Sequence, residues 1–182
     1  MLFRSLLERL GLRFSCISPE IDETPQAGES AERLVKRLAE EKARRVALEN
    51  KNAIVIGSDQ VAVFDGNVIG KPGSHDTAVK QLTGFSNQTV EFLTAVSVLR
   101  LEPGFLEAHF DRTTVKFRPL KPDEIERNLR AEKPYDCAGA FKSEHLGITL
   151  FEQISSDDPT ALTGLPLIQT SKLLRMAGYL LP

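Results

Sequence analysis

The sequence predicts a mixed α/β domain built on a strongly curved β-sheet. Segments with the helical spacing of leucines alternate with apolar segments of strand length, and two pairs of these strands are joined by short turns typical of hairpins. Helices and strands interspersed in this way are typical of the mixed α/β class. Because no glycine-rich linker separates two independent parts of the chain, we expect a single domain over residues 1–182.

The first third of the chain contains two predicted helices. Leucines at helical spacing predict a helix over residues 2–10, and alternation predicts a short strand over residues 13–17. Residues 18–29, with two prolines, a glycine and four acidic residues, predict a loop. Ser30 is placed to cap a long helix that ends near Glu49.

The rest of the chain alternates between strands and helices. Residues 53–57 predict a buried strand, which the polar triplet Ser58-Asp59-Gln60 interrupts before a second strand over residues 61–64. Asp65-Gly66 is typical of a hairpin turn. Further along we predict helices over residues 74–82, 122–132 and 165–176, and strands over residues 68–69, 90–99, 105–117 and 148–151.

Composition excludes several classes of protein. The apolar fraction of 41% and charged fraction of 26% are ordinary for a globular enzyme, and no apolar run approaches the length of a membrane span. A net charge of −2 supplies no positive field for a nucleic-acid polymer. Cys16 and Cys137 have neither metal-site nor disulfide-framework spacing, which favours a cytoplasmic location. From these observations together we expect neither a membrane nor a nucleic-acid partner.

Asp59 is the first candidate for chemistry because it lies between two apolar segments. A carboxylate there costs several kcal/mol to desolvate unless it is paired, hydrogen-bonded or bound to a metal. The alternative is a turn at a strand end, in which the aspartate bonds to its own backbone. For an isolated aspartate this structural interpretation is the more common one. The choice between a structural and a chemical role for Asp59 therefore depends on the neighbouring motifs.

Lys71, in Gly70-Lys71-Pro72, directly follows the predicted hairpin. Because a hairpin folds back on itself, Lys71 can return to the neighbourhood of Asp59 and meet a phosphate group. The alternative is a solvated lysine at a turn, which is more common for such a motif taken alone.

Lys42 and Glu23 add a cation and a second carboxylate. Lys42 interrupts an otherwise apolar stripe of the long helix, and Glu23 lies in the acidic loop before it. Glu23 and Asp59 together are enough to hold a magnesium or manganese ion that keeps several waters and bridges substrate phosphates. The alternative for the acidic loop is that it is simply solvated.

The segment of residues 135–147 combines small residues with Lys142 and Glu144, and a loop of this kind is suited to recognising a base. The alternative is a polar surface connection in which glycines serve the backbone turns. The three histidines are scattered, which argues against a histidine metal cluster or triad.

Several motifs, taken in order, resemble the Maf family of nucleoside triphosphate pyrophosphatases over essentially the whole chain. Gln60 after the central aspartate, with the segment of residues 137–152, is similar to the branch that prefers 7-methyl-GTP. The motifs that carry the resemblance are Asp22-Glu23, Glu41-Lys42-Ala43, Gly57-Ser58-Asp59-Gln60-Val61, Gly70-Lys71-Pro72 and Gly164-Leu165-Pro166-Leu167.

The resemblance implies an inosine-triphosphatase-like fold, elongated, with a cleft between two lobes and often a homodimer. It implies hydrolysis of a nucleoside triphosphate to the monophosphate and pyrophosphate with a divalent cation, which we expect to be magnesium, manganese or cobalt. Asp59 takes the position usually assigned to the base that activates water, and Glu23, Lys42 and Lys71 match other active-site positions.

The same resemblance implies which residues select the substrate. Leu2, Gln60 and Glu144 match positions that influence which base is accepted. A carboxylate at residue 144 complements the positive charge of a methylated guanine ring. We expect further substrate contacts from Arg4, Ser58 and Lys142.

The N-terminus departs from the family pattern. Family members usually begin with a short apolar strand, a serine-rich turn and an arginine pair. This sequence begins at Met1 within the predicted first helix, so we expect the strand and turn to be missing, with Arg4 alone remaining of the pair. Since such a turn can bind phosphate, the alternative function is a nucleotide-binding regulator of cell division without efficient turnover.

Overall fold

Five α-helices and five β-strands are present in residues 2–181, the part of the chain that this computed structural model describes; for Leu2 it describes the backbone only. The helices are α1 (Leu2–Glu8), α2 (Ala31–Ala47), α3 (His75–Phe85), α4 (Pro122–Glu132) and α5 (Leu167–Met176). The strands are β1 (Val55–Phe64), β2 (Asn67–Ile69), β3 (Thr89–Arg100), β4 (Phe105–Phe117) and β5 (Phe151–Ser155). The predicted mixed α/β class is therefore confirmed. Among these helices none is both long and apolar enough to cross a bilayer.

The strands form one sheet in the order β2-β1-β3-β4-β5. β2 pairs antiparallel with the end of β1, with Ala62 opposite Ile69, and β5 pairs antiparallel with β4, with Thr114 opposite Ser155. Eight consecutive residues of the central strand β3, 92–99, are buried. Since successive side chains of a strand point to opposite faces, both faces of the sheet are covered here.

The chain divides into two compact units. The first contains residues up to Gln60, Leu93–Asp111 and the residues from Asp158 onward; the second contains Val61–Phe92 and Arg112–Asp157. In the first unit, leucines of α1 and α5 pack with valines of β3. The core of the second unit is aromatic, and its rings meet edge to face at centroid distances of 4.8–5.8 Å.

Gly57 allows β1 to pack directly on α2. A β-carbon at this position would lie 2.2 Å from the carbonyl oxygen of Ala39 and 2.7 Å from the backbone nitrogen of Ala43. Both alanines are fully buried. Small residues on the two elements therefore bring the strand and helix into backbone contact, which fixes where the next residues of β1 point.

Three predicted strand assignments differ from the structure. Residues 13–17 have no regular structure, because no backbone partner among residues 2–181 supplies the ladder that a strand needs. Ser58-Asp59-Gln60 does not interrupt a strand but lies within β1. The predicted strand over residues 148–151 is wrong for its first three residues, which belong to the 3-10 helix Leu146–Leu150, stabilised by a hydrogen bond from Thr149 Oγ1 to the Leu146 carbonyl.

Candidate active site

Lys42, Asp59 and Glu23 form a cluster in the first unit. Lys42 Nζ donates to Asp59 Oδ1 at 2.6 Å and contacts Glu23 Oε1 at 2.7 Å. The cluster joins the middle of α2, the middle of β1 and the loop before α2. These three are the residues that the sequence singled out as a cation and two carboxylates, and the structure brings them together.

The burial of Asp59 is compensated by Lys42. The Asp59 side chain is only 9% exposed and Lys42 19%, whereas Glu23 is 49% exposed. Burial lowers the pKa of Lys42, but hydrogen bonds and charge from Asp59 and Glu23 outweigh it and raise the pKa above its ordinary value. Lys42 is therefore a firmly charged ammonium group at neutral pH, and it holds the buried carboxylate in one orientation.

The cluster also has the chemistry of a small cation site. The two carboxylate oxygens that contact Lys42 Nζ are at most 5.3 Å apart, the sum of the 2.6 and 2.7 Å contacts. Two hard oxygen donors and an excess of negative charge suit a divalent cation that keeps several waters. In residues 2–181 no group of three or more histidine, cysteine or acidic side chains is placed to enclose a metal ion.

Ser58, which precedes Asp59, points into the protein. Its hydroxyl oxygen lies 2.7 Å from the Ala95 carbonyl and 2.8 Å from the Gly164 carbonyl, and its single proton can be donated to one of them at a time. This hydroxyl ties β1 to β3 and to the segment before α5.

Gln60, which follows Asp59, is occupied in a similar way. Its Nε2 group lies 2.9 Å from Thr94 Oγ1, 2.9 Å from the Ala161 carbonyl and 3.1 Å from the Leu162 carbonyl. The amide donors of Gln60 therefore hold the 3-10 helix Ala161–Thr163 against the sheet. Its amide oxygen is the remaining group for a ligand.

A buried network around Asp158 was missed from the sequence. Asp158 is 1% exposed; its Oδ1 accepts from the backbone nitrogen and hydroxyl of Thr160, and its Oδ2 accepts from Ile168 N at 2.7 Å. Thr160 Oγ1 also accepts from Leu167 N. The network satisfies backbone donors in the first turn of α5. An aspartate followed two residues later by a threonine, just ahead of a predicted helix, was the available signal.

Lys71 lies in the second unit. Its side chain is exposed, and within residues 2–181 it makes neither a hydrogen bond nor an ion pair. The loop that carries it is fixed at two points: Gly73 N donates to the Tyr135 carbonyl at 2.9 Å, and Gln81 Nε2 donates to the Gly70 carbonyl at 3.0 Å. Lys71 is thus an exposed charge on an anchored loop.

Lys142 and Glu144 also belong to the second unit. Lys142 Nζ donates to the Glu132 carbonyl at 2.9 Å, at the end of α4, while Glu144 is exposed. The chain turns back tightly after them, since a β-carbon on Gly147 would lie 2.5 Å from the Lys142 carbonyl oxygen. The segment predicted to recognise a base is therefore an ordered connection with an exposed carboxylate.

Two predicted contacts lie at the N-terminus. Arg4 is exposed, and its guanidinium stands over the ring of Phe14 at 5.7 Å from the centroid. The side chain of Leu2 lies outside the described residues.

Cys137 is not poised as a nucleophile. Burial, with the nearby charge of Asp136, raises the pKa of its thiol to about 11. The thiol is therefore protonated at neutral pH, whereas only a thiolate attacks readily.

Comparisons with known proteins identify the family of the chain. The chain is 53% identical over 178 residues to a protein from Polaromonas sp. (strain JS666) named 7-methyl-GTP pyrophosphatase, covering 98% of this chain and 81% of that protein. Proteins of the same name from Xanthomonas campestris pv. campestris (strain 8004) and Albidiferax ferrireducens are 54% and 49% identical. These matches cover 98% and 96% of this chain, and 93% and 88% of those proteins. A family model described as Maf-like protein matches residues 4–177. The chain therefore belongs to the Maf-like protein family.

Proposed function

We propose that this protein is a nucleoside triphosphate pyrophosphatase that hydrolyses 7-methyl-GTP, or a related modified nucleotide, to the monophosphate and pyrophosphate. The observation that carries the proposal is the cluster of Asp59, Lys42 and Glu23. The proposal is further supported by relatives that are 53% and 54% identical over nearly the whole chain and are named 7-methyl-GTP pyrophosphatase.

In the proposed reaction, water attacks the α-phosphorus of the nucleotide. Asp59 accepts a proton from this water, and the bond between the α-phosphorus and the oxygen bridging to the β-phosphate breaks. Pyrophosphate leaves with the electron pair of that bond. Lys42 orients Asp59 for the proton transfer, because its ammonium group is already hydrogen-bonded to Oδ1.

The proposal includes a divalent cation, which we expect to be magnesium, manganese or cobalt. The charges of the cluster support it: two carboxylates and one ammonium group leave an excess of negative charge, which repels a triphosphate. Glu23 and Asp59 are the residues that would hold the cation. When bound, a divalent cation would offset this charge and neutralise part of the phosphate charge. Lys71 adds an ammonium group that has no partner among the described residues.

We assign base selection to Gln60 and Glu144. The amide donors of Gln60 are used within the protein, so its oxygen is suited to accept from the edge of guanine. Glu144 is an exposed carboxylate, and methylation of guanine N7 places a positive charge on the ring. The negative charge of Glu144 favours methylated over unmethylated guanine, whereas the acceptor of Gln60 serves both forms.

A cytoplasmic location is part of the proposal. Both cysteines, Cys16 and Cys137, are free thiols, which fits a reducing compartment.

The test is a nucleotide panel with 7-methyl-GTP, GTP, UTP and dTTP, each assayed for pyrophosphate release with magnesium, manganese, cobalt or EDTA. The proposal expects cation-dependent release that is fastest with 7-methyl-GTP. Equilibrium dialysis with the same nucleotides runs in parallel. Tight binding of 7-methyl-GTP without release of pyrophosphate would instead establish the nucleotide-binding regulator.

A further inference from the structure

Glu23 lies on a loop with little structure of its own. Residues 12–25 make no backbone-to-backbone hydrogen bond within the described chain. The local contact nearest to Glu23 is an aspartate turn, in which Asp22 Oδ1 accepts from Thr24 N at 2.9 Å. A side chain on such a loop samples many positions unless another element holds it. Glu23 nevertheless meets Lys42, so the source of its placement needs an explanation.

Arg37 supplies the missing anchor from one face of α2. Its Nε and Nη2 donate to the two carboxylate oxygens of Glu29 at 2.7 and 2.9 Å, and Nη2 also donates to the Thr24 carbonyl at 3.1 Å. Glu29 Oε2 in turn accepts from Gln26 N at 3.0 Å. One guanidinium group therefore holds the loop of residues 22–29 at two points, Thr24 and Glu29, and Thr24 is the residue next to Glu23.

The anchor is well sheltered for a group near the surface. The Arg37 side chain is 18% exposed and Glu29 only 7%. Hydrogen bonds from Arg37 and from Gln26 N lower the pKa of Glu29 to about 2, so this carboxylate remains charged at all physiological pH values. Arg37 also pairs with Glu41 one turn further along α2, at 3.1 Å, which restrains the guanidinium itself.

We propose that Arg37 is a positioning residue that holds the Glu23 carboxylate in the active site. It acts through the loop of residues 22–29, which its hydrogen bonds hold against α2, the helix that also carries Lys42. Arg37 touches neither Asp59 nor Lys42 by any contact seen in residues 2–181. The inference rests on the proposed function only for its kinetic consequence.

Only arginine has the geometry for this task. The planar guanidinium group makes two parallel bonds to Glu29 and still reaches the Thr24 carbonyl. A lysine in its place carries a single point charge and cannot form the two parallel hydrogen bonds to the Glu29 carboxylate. The conservative variant Arg37→Lys is therefore expected to restore only part of the function.

The test compares Arg37→Gln with Arg44→Gln. Arg44 lies on the same helix and forms an exposed pair with Glu40, so it is a matched control outside the site. We expect Arg37→Gln to lower kcat/KM for pyrophosphate release by about tenfold or more, since small displacements of catalytic groups are costly. Arg44→Gln should change it by no more than about twofold. Arg37→Lys should fall between them.

A double-mutant cycle with Glu23→Gln separates positioning from general destabilisation. If Arg37 acts through Glu23, Arg37→Gln causes no further loss in the Glu23→Gln background. An undiminished loss in that background would overturn the proposal, as would wild-type kinetics in Arg37→Gln alone.

Amide hydrogen exchange provides a second measurement that needs no activity. We expect Arg37→Gln to speed exchange at Thr24 and Gln26 while the buried part of α2 stays protected. Unchanged exchange at both amides would overturn the anchor. If the wild-type protein releases no pyrophosphate from any nucleotide, the proposed function fails, and exchange alone decides whether Arg37 holds the loop.

Discussion

Replacing Gly57 with alanine tests whether close contact between α2 and β1 builds the active site. The added β-carbon would lie 2.2 Å from the Ala39 carbonyl oxygen and 2.7 Å from Ala43 N. Because both obstacles are backbone atoms of a buried helix, neither can rotate away. The strand and the helix must separate by about 1.2 Å for the closer contact to reach 3.4 Å, where ordinary packing begins.

This separation has two measurable consequences. Overpacking of this kind costs about 1–3 kcal/mol, which for a chain of this size lowers Tm by about 2–12 °C. It also pulls Lys42 on α2 away from Asp59 on β1, whose contact is 2.6 Å. A displacement of about 1 Å in a catalytic group can cost roughly a hundredfold in rate. The loss of activity should therefore greatly exceed what the loss of folded protein explains.

The assay is kcat/KM for pyrophosphate release well below Tm, with Tm from thermal unfolding. Gly84→Ala is the matched control, since Gly84 lies in α3 without a left-handed backbone, and a β-carbon added there would have no neighbouring atom within 4 Å. Alanine there should be neutral or stabilising by up to about 1 kcal/mol. A Gly57→Ala protein with wild-type Tm and activity would refute the argument that this contact positions the cluster.

Three further predictions concern single charges. Glu29→Gln should be less stable than wild type at neutral pH, and this difference should vanish as pH falls from about 4.5 to about 2. The reason is that a carboxylate with a lowered pKa in the folded state stabilises the fold only while it is ionised. Urea midpoints measured across this pH range check the prediction, and a constant difference would contradict it. Glu144→Gln should reduce the preference for 7-methyl-GTP over GTP by up to about fivefold, as expected for an exposed charge; competition kinetics would disprove this by an unchanged ratio. Lys71→Gln should lower kcat/KM roughly tenfold or more with Tm unaltered, since the lysine is exposed and its charge is unpaired within the described residues; the idea fails if the kinetics do not change.

Features set by local chemistry were predictable from the sequence. The cap at Ser30 accepts from Arg33 N, and Pro122 begins α4 at the predicted residue. The turn at Asp65-Gly66 has both residues at positive φ, as its composition indicates. These signals act within a few residues and need no tertiary context.

Features that depend on partners elsewhere in the chain were not predictable in the same way. The alternation of residues 13–17 is typical of a strand, yet a strand exists only where another segment supplies hydrogen bonds. The opposite error occurred at Asp59, where a polar triplet was expected to end a strand. Lys42, seventeen residues earlier, offsets the desolvation cost and lets β1 continue.

The candidate site shows the same division between local features, which were predictable, and contacts with other parts of the chain, which were not. Lys42 and Asp59 could be chosen because charged residues in or beside apolar segments need a reason, and Glu23 because the acidic loop supplies a second carboxylate. That the three residues meet is a result of the fold. The roles of Ser58 and Gln60 as internal ties could not be predicted, since their partners Gly164 and Ala161 are more than a hundred residues away.

Asp158 was overlooked although its partner Thr160 is only two residues away. The contacts of Arg37 were not predicted because Thr24 and Glu29 lie in an irregular loop, whose path has no periodicity that predicts it.

The most direct test of the central claim is Asp59→Asn, assayed for pyrophosphate release from 7-methyl-GTP at saturating divalent cation. The variant keeps the shape of the side chain but loses the basic carboxylate, so we expect kcat to fall by about a hundredfold or more while the protein remains folded. Normal unfolding in urea would show that the loss is chemical. A folded Asp59→Asn protein that releases pyrophosphate at the wild-type rate would contradict the assignment of Asp59 as the base that activates water.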